Sequence, residues 1–463
     1  MIEYEMLEFV PQKTNKEILS MEEHKMGTMP VNKLLLTMAA PMILSMLIGA
    51  LYNIVDSIFV SNYSENALTA VSLAFPVQNI IVSMGTGLGV GANAMLSRFL
   101  GEKKQDDVNK TALNGILLGI ITYVFILAFG LFGARWFYSI QTNNAEISQM
   151  GISYLSIVCI FSLGQILDMI FEKLLQSTGR TAYSMWTQIS GAVLNIILDP
   201  ILIFGYFGLP AMGATGAAIA TVIGQFCSMF VWLIFNLKKN KEIQFSLHHF
   251  HPEVYYLKYI CAVGIPAAIT MFLSSIMSFG INKILLVYST TAIAVFGAYF
   301  KLQTFVAMAT FGLNSALLSI VAFNLGTRKH DRIRKAIKLS AIYSILIGAF
   351  GMVLLQVFPA QIMAAFNASK TMSAMGVTAL RITSLSFMFA CASVMICYTL
   401  QGLGKGIPSM FISMARQVVC LLPLAYILGN MIGIKGIWFS FPIAEIVVMI
   451  VGFLYLNSLL KKL

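Results

Sequence analysis

The sequence predicts an all-α polytopic membrane protein, with twelve transmembrane helices in two parallel six-helix repeats. Three observations predict it. Of 463 residues, 58% are apolar and only 11% are charged, against roughly a quarter charged in soluble domains, and the mean hydropathy is +0.82. The apolar residues fall in continuous runs, not in the ten-residue alternation of barrel strands. The second half of the chain also repeats the first at one fixed offset in numbering.

In chain order the runs lie at 34–61, 67–100, 111–138, 148–175, 182–207, 213–237, 257–287, 292–325, 336–366, 374–400, 408–432 and 436–460. Gly, Pro or charged clusters separate them, and at about 20 residues per crossing each is long enough to span. Several exceed that length, which predicts tilts or kinks. The runs divide the chain into a polar cytoplasmic N-terminal tail (1–33), a first lobe of helices 1–6 (34–237), a cytoplasmic linker (238–256) and a second lobe of helices 7–12 (257–463). The tail lacks the apolar run of a signal peptide, and Met21 and Met26 are alternative starts.

The repeat pairs Pro41 with Pro266, Gln78 with Gln303, Gly87 with Gly312, Gly151 with Gly376, Gln176 with Gln401 and Met185 with Met410. The loop Leu100, Gly101, Lys104, Asp106, Lys110 matches Leu325, Gly326, Lys329, Asp331, Lys335. Six helices per half is an even number, so both halves start on the same side and are related by an axis normal to the membrane.

The net charge of +11 is topological. With both termini inside, 23 of the 30 Lys and Arg lie on or near cytoplasmic segments, and only Arg135, Lys370 and Lys435 fall at outer loops. This distribution obeys the positive-inside rule, so the charge implies no nucleic-acid partner; the lipid bilayer is the environment, and the chain reads as a monomer. The six cysteines all lie inside apolar runs without a C-x-x-C pair, which indicates neither disulfides nor zinc. Gly87-Leu-Gly-Val-Gly-Ala92 fits a dinucleotide fingerprint only formally, because no strand precedes it; its glycine spacing suits helix packing. His248, His249 and His251 read as a solvated linker. No HExxH, nucleophile elbow or phosphate loop appears, so an enzyme, a cofactor and a metal site are not expected.

An acid within an apolar run is costly and is a functional-site candidate by default. Five occur: Asp56 in helix 1, Asp168 and Glu172 in helix 4, Asp199 in helix 5 and Glu445 in helix 12. Asp56 aligns with Ile281, Asn195 with Cys420 and Asp199 with Leu424, so the acid site belongs to the first half alone. Asp56 and Asp199 sit at similar depths in helices of the same direction, and Asn195 shares a face with Asp199 at i, i+4. Pro200 leaves the Ile196 carbonyl without its helical partner. Together they form an oxygen-rich pocket for a proton or small cation. Glu172, beside Lys173, reads as a snorkelling pair at a helix end. In the second half, Lys301, Arg381 and Glu445 suggest a charge network in which the acid offsets the bases.

Pro41 with Asp56 fifteen residues later, the run Asn195-Ile-Ile-Leu-Asp199-Pro-Ile-Leu-Ile-Phe-Gly205, the small-residue stretch from Gly213 to Thr221 and the two Leu-Gly loops resemble the multidrug and toxic compound extrusion (MATE) family, in its bacterial drug-efflux branch. The resemblance covers 34–460. It implies a two-lobe antiporter of the cell membrane that expels organic cations and amphiphilic drugs in exchange for protons, or alternatively sodium, by alternating access. It also implies a coupling site at Asp56, Asn195 and Asp199, joined by Tyr154 and Thr221. One branch of the family carries an acid midway along helix 7; Leu273 to Ser278 has none, so a second-lobe sodium site is not expected. The runner-up is a flippase for a lipid-linked or phosphate-bearing substrate, which calls for a markedly cationic cavity.

Overall fold

The computed structural model describes residues 24–245, 252–366 and 368–462. Ten unbroken helices are long and apolar enough to cross a membrane, and two bent pairs complete twelve spans among the described residues. They are α1 (Val31–Tyr63), α2 (Glu65–Gly101), α3 (Gln105–Ser139), α4 (Ala145–Ile160 and Leu163–Ser177), α5 (Ala182–Phe204) and α6 (Ala214–Lys239) in one lobe. The other holds α7 (Val254–Leu286), α8 (Thr290–Gly326), α9 (His330–Val357), α10 (Lys370–Ser384 and Phe387–Gly402), α11 (Gly406–Ile432) and α12 (Ile434–Leu460). The histidine cluster of the linker lies outside the described residues.

Two sequence expectations change. Helices 4 and 10, each read as one run, bend by 45° and 46°. The bends fall at Phe161–Ser162 and Leu385–Ser386, equivalent places of the repeat to within one position, which a hydropathy profile does not register. Helical structure also begins ahead of the first apolar run. A short helix, Lys25–Thr28, precedes α1, and its Met26 is fully buried.

That segment is held by both lobes. Arg332 donates to the carbonyls of Met26 at 3.0 Å and Met29 at 2.8 Å, and Lys329 donates to that of Gly27 at 3.1 Å. From the linker, Glu242 approaches the His24 ring at 3.7 Å and is itself gripped by Nε and Nη2 of Arg180 in the first lobe.

The contacts between lobes obey the repeat. A side chain on Gly87 of α2 would strike the Gly264 carbonyl and Ala268 of α7, while one on Gly312 of α8 would strike Ile43 of α1. Gly87 and Gly312 are equivalent positions of the repeat, and so are Ile43 and Ala268. Likewise Gly101 abuts the Phe323 carbonyl and Gly326 that of Arg98, again exchanged by the same offset. Only glycine permits such backbone approach between helices.

Every interlobe hydrogen bond or ion pair among the described residues lies toward this end. Ser319 donates to Asn93 at 3.0 Å, Tyr256 to Asp107, and Lys110 pairs with Glu253 at 2.7 Å. The lobes therefore lean together where α2 and α8 end, at the face bearing the repeated basic loops.

Candidate functional site

Asp56 projects from α1 seven residues before its end, and Asp199 from α5 five residues before its end. Their carboxyls face each other within hydrogen-bonding reach. Two carboxylates cannot bond to one another unless one carries a proton. Asp56 Oδ1 is buried without a hydrogen-bond partner among the described residues. Asp199 is fully buried and Asn195 is 1% exposed.

Asn195 links this pair to α6. With its amide in the orientation that satisfies both ends, Nδ2 donates to Asp199 Oδ2 at 2.8 Å and Oδ1 accepts from the Thr221 backbone N–H at 3.2 Å. The approach depends on Gly224, where a Cβ would stand 3.2 Å from the Gly191 carbonyl and 3.3 Å from Asn195 Cβ. Small residues on both helices bring the amide to α6. The α5 helix continues through Pro200 to Phe204.

Tyr154 of α4 is 2% exposed, and its hydroxyl accepts from Gln78 Nε2 of α2 at 2.8 Å. It stands near Asp56. The five residues singled out from the sequence, Asp56, Asn195, Asp199, Tyr154 and Thr221, thus come from four helices to one place. Two further residues complete it. The Tyr52 hydroxyl faces Thr221 and both acids, and Gln78 holds Tyr154. Signals for both existed: Tyr52 is one helical turn from Asp56, and Gln78 is a repeated polar residue in an apolar run.

The second-lobe network differs from its expectation. Glu445 approaches Arg416, Nη1 to Oε1 at 3.5 Å, with the side chains only 16% and 12% exposed. Lys301 and Arg381 are exposed and neither pairs with Glu445. Their long side chains reach the surface instead of the core. Nor do Glu172 and Lys173 snorkel. Lys173 is 3% exposed and donates to Gln176 at 2.8 Å, with Gln176 in turn bonded to Glu172. Its stem packs on Gly89, whose missing side chain makes the room.

With the geometry described, comparison with known proteins is informative. The MatE family model matches the chain twice, at 41–201 and 266–427, so its two starts fall on Pro41 and Pro266, an equivalent pair of the sequence repeat. The chain is 26% identical to the multidrug export protein MepA of Staphylococcus haemolyticus, over 93% of this chain and 94% of that one. It is 27% identical to MepA of Staphylococcus aureus, over 90% and 91%. Among solved structures, an outward-facing multidrug-resistance MATE transporter of the MOP superfamily superposes with a TM-score of 0.89 at 25% identity, covering 95% of this chain and 99% of that one. Twelve membrane helices, an acid site confined to the first lobe and a family signature present once per lobe make this chain a member of the MatE family, the multidrug and toxic compound extrusion transporters of the membrane.

Proposed function

We propose that the protein is a multidrug efflux antiporter of the cell membrane, exporting organic cations and amphiphilic drugs in exchange for protons. The observation that carries the reading is the facing Asp56–Asp199 pair, braced by Asn195, Thr221, Tyr52 and Tyr154. A carboxyl pair sharing a proton gains or loses one as a unit, which changes the charge of a buried pocket by one and so biases which lobe arrangement is stable. The similarity to MepA proteins supports the drug-export part of the reading. Protons are preferred over sodium because the acid pair alone suffices to carry one, whereas sodium needs several oxygens to converge.

The basic loops support a cytoplasmic side for the closed interlobe end, and with it an outward-facing reading of the described arrangement. Proton loading lowers the negative charge of the pair by one and permits the lobes to reclose around it. A proton driven by about 100 mV and one pH unit supplies roughly 3.7 kcal/mol, or about a 500-fold gradient of a neutral substrate exchanged one for one. The protein acts as a monomer with no enzymatic step and no cofactor.

The test is transport of ethidium in proteoliposomes under imposed proton or sodium gradients. Wild type should respond to the proton gradient, and the Asp56→Asn, Asp199→Asn double variant should not. Transport that follows sodium at fixed pH would replace the coupling ion. Movement of lipid-linked sugars without any organic cation would replace the function by the flippase reading, which the acids of the first lobe disfavour.

A further inference from the structure

A second polar centre lies in the other lobe. A cavity of about 510 Å³ is walled by α7, α8, α10, α11 and α12 and closed from the first lobe by Asn79, Val82 and Ser83 of α2. This volume suits a drug-sized molecule. Aromatic and thioether groups, including Met271, Phe300, Phe311 and Phe441, form its apolar wall, and Arg416, Gln417 and Glu445 meet in it. Arg416 and Gln417 belong to a π-helical turn, Ala415–Cys420, inside α11. The widened turn changes the register of the helix, and such turns recur at functional sites.

Neither charge is a relic of the repeat. The first lobe has Gly191 where the second has Arg416, and Ala220 where it has Glu445.

The guanidinium is under-used. It carries five donors, yet its single ionic contact is the 3.5 Å approach to Glu445. A well-formed Arg–carboxylate pair is bidentate and closer, at about 2.7–2.9 Å. Glu445 Oε2 is buried with Ser393 beside it, and the two make no well-formed hydrogen bond. Gln417 is committed elsewhere, accepting from Ser274 at 2.8 Å. The Arg416 side chain is 16% exposed and lines the cavity, so a bidentate acceptor arriving there meets donors that Glu445 leaves free.

We propose that Arg416 is a recognition residue for the carboxylate of an amphiphilic, aromatic substrate, with Glu445 its internal competitor. An entering carboxylate takes the fork of Arg416, its apolar body lies on the methionine and phenylalanine wall, and Glu445 retakes the guanidinium when the substrate leaves. The protein then distinguishes substrates by a carboxylate in the second lobe, separately from the acid pair of the first. This rests on the efflux reading for its biological setting, but the binding step does not.

The test uses two dyes that differ only at that group, rhodamine B with a free carboxylate and its ethyl ester. Affinities for purified full-length protein in nanodiscs are read by fluorescence anisotropy, and transport is read in proteoliposomes. Arg416→Gln should weaken rhodamine B about tenfold or more, the size of a charged hydrogen-bonded pair, while leaving the ester unchanged. Arg416→Lys should recover part of the loss. Glu445→Gln, which removes the competitor and keeps the shape, should strengthen rhodamine B alone. Equal effects of Arg416→Gln on both dyes, or no gain for rhodamine B in Glu445→Gln, would overturn the assignment. Failure of wild type to transport either dye while the binding differences persist would count against the efflux reading only.

Discussion

The glycines of the interlobe seam make a prediction that the repeat constrains twice. A Cβ on Gly87 would stand 2.5 Å from the Gly264 carbonyl oxygen and 2.7 Å from Ala268, and one on Gly312 would stand 2.8 Å from Ile43. Ordinary contact begins at 3.4 Å, so Gly87→Ala or Gly312→Ala requires the lobes to withdraw by about 0.6 to 0.9 Å. Overpacking of this kind costs about 1–3 kcal/mol. Alanine also improves helix propensity, by about 0.5–1 kcal/mol, but the helix exists with the seam open or closed, so that gain cancels from the conformational equilibrium. The closed seam should therefore lose roughly 5- to 150-fold in population relative to open forms. Nitroxide labels at Asp106→Cys and Asp331→Cys, exposed and equivalent in the two lobes, would read the change by pulsed EPR with the six native cysteines replaced. Both glycine variants should shift the distance distribution toward longer values. A shift in one but not the other would refute the two-fold seam, and no shift in either would refute its role in closure.

Further expectations concern the N-terminal segment and the acids. Burial pushes His24 down to about 4, against the opposing pull of Glu242 and with Lys25 and Arg180 adding to the effect; its Nδ1 accepts from the Met26 N–H at 3.4 Å. The docked segment resists the proton that a released one binds at the ordinary value near 6.5, so docking is fully favourable above that pH and is lost as pH falls toward 4. From pH 7.5 to 5.5 the docked population should fall about tenfold relative to the released one, seen as faster hydrogen exchange at 26–29, and His24→Gln should abolish the dependence. Arg332→Ala removes the donors to Met26 and Met29 and should weaken docking by about 1–3 kcal/mol; unchanged exchange of the 26–29 amides at pH 7.5 would contradict this anchoring. Asp199→Asn should keep the melting temperature within a few degrees while abolishing proton-driven efflux, and a variant that still pumps would remove Asp199 from coupling. Asn195→Ala should reduce efflux less than Asp199→Asn, because it deletes a neutral partner; a larger loss would make the amide the principal group.

What the sequence determined alone was whatever composition, periodicity and repetition encode. Too little charge to cover a soluble fold makes the chain a membrane protein, continuous apolar runs make its spans helices, and a constant offset between matching residues relates the lobes. The acid site was legible for the same reason: a carboxylate in hydrocarbon stands out against its neighbours, so Asp56 and Asp199 announce themselves without coordinates. The tertiary structure alone decided the pairings. Arg416, not Lys301 or Arg381, meets Glu445, and Arg416 sits in a π-helical turn of α11 that no hydropathy pattern records. Lys173 is buried because Gly89, on another helix, leaves a slot for its stem. Tyr52 and Gln78 carry only indirect signals until five helices, α1, α2, α4, α5 and α6, converge at the site. Local sequence sets which residues are expensive to bury; the partner that makes burial tolerable comes from another helix, at a distance and register fixed only by packing.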